Sequence, residues 1–240
     1  MKIAVSLTGL YRAHVSRDPI ESIQEMQDKF KCDMYFHTWM GRENEVPEQY
    51  KIIGKFYTCP EPKMEYHPIF DPEPTTNPKH LWYRESKGHG HKTINGNKQI
   101  LSYADLYQLI PDDYDIYIKT RWDTRINPDF DFSQFYDTVL NEGPVGFMTR
   151  NQGPNAFDYM SKKHKIVPKV KSETENNDWH DMLADTLIMH TREHFDSQHV
   201  FNLHKQENLL GSEWGWWQTM SKPHGGEIHT SVYGGVTLVR

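Results

Sequence analysis

The sequence contains little cysteine and no long apolar run, and both absences limit what the protein can be. Among its 240 residues are only 2 cysteines, Cys32 and Cys59, which form neither a metal-binding pattern nor a disulfide framework. A reducing interior is the simpler explanation for so few cysteines. No apolar run approaches the roughly 20 residues that a membrane-spanning helix needs, and the segment 1–9 is typical of a strand rather than of a signal peptide. We therefore expect a cytoplasmic protein without a transmembrane segment.

The sequence also lacks an excess of positive charge. Its formal net charge of −6 argues against a protein that coats nucleic acid by bulk attraction, but it is compatible with a local basic patch. Two stretches rich in Lys and His, near residues 79–98 and 162–171, stand out against this background. They would suit an anionic partner, and the alternative is that they are solvated loops. Aromatic residues make up 13% of the chain, a content typical of folded proteins and not of disordered ones.

Apolar periodicity predicts alternating strands and helices. The segment 2–7 is a buried type of strand, 20–30 carries the apolar face of a helix, and 33–39 is a second strand. These three form a βαβ unit, which implies a parallel sheet. Further strands are predicted at 52–57, 114–118, 145–148, 185–190, 227–232 and 236–239, and further helices at 97–110, 130–140, 195–205 and from Ser212. Three segments are predicted to be irregular or mobile: 60–78, 87–92 and 152–177.

The stretch from Tyr114 to Pro128 brings charged side chains to the end of a predicted strand. The strand is followed by Lys119, Arg121, Asp123 and Arg125. In an open α/β sheet, ligands bind outside the carboxyl ends of the strands. Two or three cations with one carboxylate at such an edge suit a metal-chelated diphosphate, because the carboxylate can hold the metal while the cations contact phosphate oxygens. The alternative interpretation is a solvated strand end with a surface salt bridge.

A second polar turn follows the first predicted strand. Thr8 and Gly9 close the strand, and Arg12 comes three residues later. The glycine permits close approach of a ligand to the backbone, and the arginine offers a planar fork of donors. These residues predict a second set of contacts to phosphate.

The order of these parts resembles that of the GT-A-fold glycosyltransferases, which use a nucleotide-sugar donor. The resemblance is to small bacterial and phage members with a strand that ends in Arg-x-Arg-x-Asp, represented here by Lys119-Thr-Arg121-Trp-Asp123. The opening Ser-Leu-Thr-Gly-Leu-Tyr-Arg is similar to the first strand and nucleotide-binding turn of this family. The resemblance implies an α/β fold with a mostly parallel central sheet, flanking helices and a small C-terminal β element. It also implies a single domain, 1–240, with a nucleotide-binding half (1–125) and an acceptor-binding half (126–240).

For the donor side, the resemblance implies a divalent ion, Mn²⁺ or Mg²⁺. Asp123 would be the surviving carboxylate of the Asp-x-Asp metal motif, because Arg125 stands where the second acid is expected. His229 is placed to supply a further metal ligand, as a histidine near the C-terminus does in this family. The donor diphosphate is then expected to contact a wider set: Thr8, Gly9, Arg12, Lys119, Arg121 and Arg125.

For the acceptor side, the resemblance implies a glycine-containing turn that leads to acidic residues at the start of a helix. Gly211-Ser212-Glu213-Trp214 is similar to this turn, with tryptophan in place of the second acid. Glu213, or else Asp185, would be the catalytic base of an inverting enzyme, whereas a retaining enzyme needs no such base. Three tryptophans, Trp214, Trp216 and Trp217, could stack on an acceptor ring or could belong to the core.

The acceptor itself has two alternatives. Some phage transferases glycosylate hydroxymethylcytosine in DNA, and such an enzyme would work in the host cell cytoplasm. A bacterial surface-glycan transferase would instead contact the membrane peripherally through a basic surface. Both acceptors would suit the stretches near 79–98 and 162–171. A third alternative from a different class is a non-catalytic nucleotide-binding or scaffold protein of the same fold, which the missing second acid of the metal motif favours.

Overall fold

One large sheet organises the chain in the computed structural model. The described residues are 1–11, 20–62, 89–148, 166–167, 183–206, 209, 212–225 and 228–238, without the side chains of 89–95, 166–167, 212–214 and 233. Their strands are β1 (Ile3–Thr8), β2 (Asp33–Trp39), β3 (Lys55–Cys59), β4 (Ile116–Arg121), β5 (Thr124–Ile126), β6 (Val145–Met148), β7 (Ile166–Val167), β8 (Leu187–His190), β9 (Thr230–Tyr233) and β10 (Val236–Leu238). Their helices are α1 (Ile20–Phe30), α2 (Gln49–Ile53), α3 (His89–Tyr107), α4 (Tyr136–Asn141), α5 (Ser197–Lys205) and α6 (Ser212–Met220).

The large sheet has eight strands in the order β3-β2-β1-β4-β8-β6-β9-β7. Pairing is parallel from β3 to β4, and β8 then runs antiparallel to both of its neighbours, β4 and β6. Beyond it, β6 and β9 are parallel and β7 is antiparallel to β9. The last described strand, β10, forms a separate two-stranded antiparallel sheet with β5. The predicted class is therefore confirmed: an α/β fold with a mostly parallel sheet, flanking helices and a small C-terminal β element.

The two faces of the sheet belong to two separate cores. On one face, apolar residues of β1, β2 and β4 pack with α1, α2 and the aromatic residues of 130–135. On the other face, Ala4, Tyr35 and Tyr117 pack with α3, α5 and α6. Every residue of β1 is buried, as expected for a parallel strand that is covered on both sides.

Some predicted boundaries differ from the structure. The third strand begins at Lys55, not at residue 52, because residues 49–53 form the short helix α2, which leaves Ile52 82% exposed. Helix α3 begins at His89, inside the segment predicted to be mobile, and ends at Tyr107 rather than at Ile110.

Three further predictions concern the helix at 130–140, the division of the chain into two halves and the absence of a transmembrane segment. Residues 132–135 form a 3₁₀ turn that precedes α4, within the helix predicted at 130–140. The division into halves after residue 125 stays a prediction, and strands from both halves share the one sheet. Within the described residues, no helix is both long and apolar enough to cross a membrane.

A buried hydrogen-bonded histidine ties α3 to the sheet. His190 has no exposed surface, and burial lowers its pKa to about 3, so the imidazole is neutral at pH 7. Its Nδ1 lies 2.8 Å from the carbonyl oxygen of Thr191, which can only accept, so Nδ1 carries the proton. Its Nε2 is therefore an acceptor, and the hydroxyl of Tyr103 donates to it over 2.6 Å.

This network predicts that Tyr103→Phe destabilises the fold. The variant leaves Nε2 of His190 buried without a donor, which costs about 1–3 kcal/mol. We expect the free energy of unfolding in urea to fall by that amount. Tyr107→Phe is the matched control, because the Tyr107 hydroxyl contacts the carbonyl oxygen of Arg192 over 3.5 Å and the Arg192 side chain, which is 44% exposed and can bond to water instead. Equal losses in the two variants would contradict the assigned tautomer.

Candidate functional site

The carboxyl ends of β1, β2 and β4 form one rim of the sheet. These three strands are parallel neighbours, with β1 between the other two. Their last residues, Thr8, Trp39 and Arg121, therefore lie along the same edge, where open α/β sheets bind ligands. At Gly9, directly after β1, the backbone has a φ of 95°, a conformation that glycine adopts at little cost.

Arg121 and Asp123 form a two-bonded ion pair at this rim. Nε of Arg121 donates to one carboxylate oxygen of Asp123 over 2.8 Å, and its NH2 nitrogen donates to the other over 2.7 Å. The side chains are only 18% and 11% exposed, so solvent screens this pair less than it would screen a surface pair. The pair places a guanidinium and a carboxylate at the strand end, with the carboxylate held by the guanidinium.

Lys119 brings three of the predicted site residues together. Its side chain is fully buried, its Nζ donates to the backbone carbonyl of Asp185 over 2.7 Å, and it lies 4.6 Å from the centre of the Trp216 ring. A buried ammonium requires such partners, because the loss of hydration must be offset by hydrogen bonds and by the π-face. Through the Asp185 carbonyl and the Trp216 ring, Lys119 thus connects β4 to the segment that precedes β8 and to α6.

Beside Lys119 lies a row of buried polar groups without partners. Ser6 pairs in register with both Tyr35 and Lys119, and Thr8 pairs with Arg121, so these side chains share the face that α3 and α6 cover. His37, two residues after Tyr35, points to the same face. Four atoms form the unpartnered row, which has no hydrogen-bond partner in the described part of the chain: Ser6 Oγ, Thr8 Oγ1 and both ring nitrogens of His37. On the other face of β2, Thr38 Oγ1 lacks a partner as well.

Two helical side chains add to this polar row. Asn97 of α3 donates to the carbonyl of Leu209 over 3.0 Å, but its Oδ1 has no partner among the described residues, and neither has Nε1 of Trp216. Each unpaired buried group costs about 1–3 kcal/mol. Clusters of such groups are typical of places where a polar ligand or ordered water binds.

Ser6, His37 and Asn97 were not identified from the sequence. The signal lies in the alternation within the strands. In β1 the residues at odd positions are apolar, whereas Ser6 and Thr8 alternate with them on the other face. A polar residue at every second position of a fully buried strand indicates one face that holds something polar.

Arg125 lies apart from the Arg121–Asp123 pair. It is on β5, and its guanidinium donates to both carboxylate oxygens of Glu25 on α1, over 3.2 and 2.7 Å. This ion pair raises the pKa of Arg125 and attaches the small sheet to α1. The structure therefore gives Arg125 a partner other than a phosphate.

His229 is not brought to Asp123. It is buried, and its Nδ1 lies 2.9 Å from Oγ of Ser221. The next residue, Thr230, is in register with Ile118 near the start of β4, through the pairing of β9 with β6, β6 with β8 and β8 with β4. Three strand spacings, about 14 Å, separate β9 from β4, and Asp123 lies beyond the opposite end of β4. In the described ranges, no three His, Cys, Asp or Glu side chains are grouped in a way that could hold a metal ion.

The remaining predicted residues are placed in part. Trp216 is fully buried against Tyr103, so the geometry gives it a core role and no free face for an acceptor. Trp217 is partly exposed, and Lys222 lies 5.6 Å from its ring centre. Glu213 and Trp214 occupy the first turn of α6, but their side chains are outside the described set, as is Arg12 entirely. Most of the basic stretches 79–98 and 162–171 also lies outside the described residues.

Comparison with known proteins yields fold likenesses only. The chain matches no protein-family model, and no curated protein matches its sequence. A TarS fragment (1–349) of S. aureus is 12% identical with a TM-score of 0.44, and the match covers 98% of this chain but 60% of the fragment. The same fragment in complex with UDP-GlcNAc gives 10% identity, coverage of 98% and 58%, and a TM-score of 0.45.

Two further structures are similar at the same level. The galactosyltransferase LgtC, in complex with donor and acceptor sugar analogues, is 9% identical, with 97% of this chain and 73% of LgtC covered and a TM-score of 0.42. Mouse xyloside xylosyltransferase 1 is 9% identical, with 95% and 83% covered and a TM-score of 0.40. At these identities and scores, the likenesses assign no ligand and no activity to this chain.

The buried position of His37 predicts a loss of stability in acid. Burial lowers the pKa of His37 from 6.5 to about 4. Between these two values the unfolded chain binds a proton at this position and the folded chain does not, so stability falls as pH falls from 6.5 to 4. The expected loss is about 3 kcal/mol.

Urea unfolding at pH 7 and at pH 4 measures this effect. His37→Leu should lose about 3 kcal/mol less than the wild type across that interval, because it removes the group that titrates. Thr38→Val is the matched control, since it changes a buried neighbour that does not titrate and should follow the wild type. Identical pH dependence of the wild type and His37→Leu would contradict the prediction.

Proposed function

We propose that the protein is a glycosyltransferase that moves a sugar from a nucleoside-diphosphate donor to a hydroxyl acceptor. The observation that carries the proposal is the row of unpartnered polar groups beneath the rim, next to the Arg121–Asp123 pair. Ser6, Thr8 and His37 offer donors and acceptors for the polar edge of a nucleoside, and the rim beyond them offers the guanidinium of Arg121 for phosphate. A row of this kind at the ends of parallel strands supports nucleotide binding more directly than any single motif does.

In the proposed reaction, the bond between the sugar's anomeric carbon and the diphosphate oxygen breaks, and a bond to the acceptor oxygen forms. Negative charge develops on the leaving diphosphate. Arg121 is the rim cation placed to stabilise that charge, and such preorganised electrostatic help is commonly the largest catalytic contribution. Lys119 is two residues before Arg121 in β4, below the rim and level with Ser6, and we propose that its charge adds to the positive potential there.

The acceptor proton needs a base only if the reaction inverts configuration. Asp185 is buried, and Lys119 holds its backbone carbonyl. Glu213 is in the first turn of α6, the helix whose Trp216 covers Lys119. Both candidate bases therefore belong to segments that Lys119 contacts. Their role as bases is a proposal, and so is the role of Trp214 and Trp217 as contacts to the acceptor. If configuration is retained, these carboxylates orient the acceptor instead.

The described residues do not by themselves form a metal site. Asp123 is the one carboxylate of the Arg121–Asp123 pair, and His229 is at a distance from it. Mn²⁺ or Mg²⁺ would be held by Asp123, whose carboxylate oxygens each keep a lone pair beside the bond from Arg121, together with the donor's own phosphate oxygens. We therefore assign charge neutralisation to the cations and treat a metal requirement as an outcome of the test.

One observation favours a second candidate, a non-catalytic nucleotide-binding or scaffold protein. Arg121 occupies both carboxylate oxygens of Asp123, and Arg125 is paired with Glu25, so that no carboxylate pair is available for a metal at this point of the described chain. This candidate predicts binding of nucleoside diphosphates without turnover of the corresponding sugar donors.

A thermal-shift panel of nucleoside diphosphates and nucleotide sugars, with and without Mn²⁺, tests the class. The panel includes UDP-GlcNAc, the ligand of the similar TarS fragment. A ligand at a hundred times its dissociation constant stabilises the fold by about 2.7 kcal/mol, which in a chain of this size raises the melting temperature by about 5–10 °C. A panel without any shift would overturn the proposal, and shifts without donor turnover would favour the non-catalytic candidate.

The proposal also predicts that Arg121→Met binds nucleoside diphosphates more weakly, and the same thermal-shift panel measures this. Loss of a charge-assisted hydrogen bond to phosphate weakens diphosphate binding about ten- to a hundredfold. Each variant is compared with its own melting temperature without ligand. Arg192→Met is the matched control: it removes an arginine that stacks on Tyr107 and follows β8, at the opposite end of the sheet. An unchanged diphosphate shift in Arg121→Met would remove this residue from the site.

The acceptor class is the finer part of the proposal, with hydroxymethylated cytosine in DNA and a surface glycan as alternatives. A gel shift with duplex DNA at rising salt separates them. A DNA acceptor predicts binding that weakens steeply between 50 and 200 mM salt, because phosphate contacts release counterions. Absence of salt-sensitive binding would disfavour DNA and leave the glycan acceptor.

A further inference from the structure

Trp122 stands between the two members of the ion pair but points to the other face of the sheet. Arg121 is in register with Thr8, on the face that α3 and α6 cover, and Asp123 is paired with it, whereas the Trp122 ring belongs to the core with α1 and α2. The ring is only 3% exposed. Its Nε1 donates to the backbone carbonyl of His37 over 3.2 Å.

That hydrogen bond spans the centre of the rim. Trp122 follows β4, His37 is on β2, and β1 lies between these two strands. The donor and acceptor therefore belong to elements about 10 Å apart across the sheet. The carbonyl is that of the residue whose ring nitrogens lack partners, but pairing with β1 and β3 holds the backbone of His37 without the indole, so the bond mainly positions Trp122.

The same ring contacts the segment after β1. Tyr11 packs edge-on against it, with centroids 5.5 Å apart and planes at 88°. Phe36 of β2 stacks on it at 5.3 Å and 19°, and Tyr50 of α2 meets its edge at 5.3 Å and 82°. One side chain from the turn after β4 thus contacts the chain just after β1 and the middle of β2, the two neighbouring strands whose ends share the rim.

We propose that Trp122 is a positioning residue that holds the Arg121–Asp123 turn in register with the chain after β1. It contacts no ligand itself and acts through Arg121. This inference rests on the proposed function, because the turn matters for binding only if the rim accepts a phosphorylated ligand. A displaced Arg121 would still pair with Asp123, but it would miss the phosphates of a nucleoside held by the polar row.

The test separates binding of the phosphates from binding of the nucleoside. Dissociation constants of ADP, CDP, GDP and UDP are measured by calorimetry against those of their own nucleosides, in the wild type and in Trp122→Phe. Phenylalanine keeps an aromatic ring but removes the hydrogen bond to His37. We expect the affinity gained from the diphosphate to fall about tenfold, while nucleoside affinity changes less than about twofold.

A stability loss alone cannot produce this pattern. Phe30→Leu is the matched control, because Phe30 belongs to the same core but contacts Phe132, with centroids 5.1 Å apart, and not the indole. It should lower the melting temperature and leave the ratio of diphosphate to nucleoside affinity unchanged. Trp122→Tyr is measured in parallel, so that poor folding of one variant does not prevent the comparison.

The possible outcomes distinguish the two proposals. If the wild type gains affinity from the diphosphate and folded Trp122 variants keep that gain, the positioning role is wrong while the proposed function stands. If the wild type gains nothing from any diphosphate, the proposed function fails and the positioning role fails with it. A loss of the gain in Phe30→Leu as large as that in Trp122→Phe would also overturn the positioning role.

Discussion

A fully desolvated lysine sets the arrangement of the central part of this protein. Lys119 is fully buried in β4, the fourth of the eight strands of the large sheet, where an ammonium without partners would be very costly. Its hydrogen bond to the Asp185 carbonyl and its position over the Trp216 ring offset that cost. Both partners come from distant parts of the chain. The antiparallel entry of β8 beside β4 and the packing of α6 on the sheet are therefore tied to one charge.

The two faces of the sheet differ in how they use polarity. One face is apolar from α1 to the aromatic residues of 130–135 and supplies the rigid support. The other is apolar near the strand starts, where Tyr103 and His190 satisfy each other, and polar near the strand ends. Unpaired groups are concentrated at Ser6, Thr8 and His37. A protein that keeps such groups buried gives up stability at one place, and this is typical of functional sites.

Local sequence signals predicted the elements better than their partners. The strands at 33–39 and 145–148 were predicted to the residue, because apolar runs bounded by turn residues define them without tertiary information. The third strand was misplaced because its apolar residues Ile52 and Ile53 form a helix before Gly54. The ion pair of Arg125 with Glu25 was not predicted, because the two residues are 100 positions apart. Ser6 and His37 were missed because they sit in two strands that are distant in sequence and become neighbours only through strand register.

The Arg121–Asp123 pair also bears on which anions can occupy the rim. A carboxylate two residues from the guanidinium is a tethered competitor with a high effective concentration. Any incoming anion must compete with it for the guanidinium of Arg121, and a small monovalent anion has too few contacts to compete well. An extended polyanion that also engages other groups can. The pair would therefore act as an intrinsic filter, making the rim discriminate by the number of charges that a ligand presents rather than by charge alone.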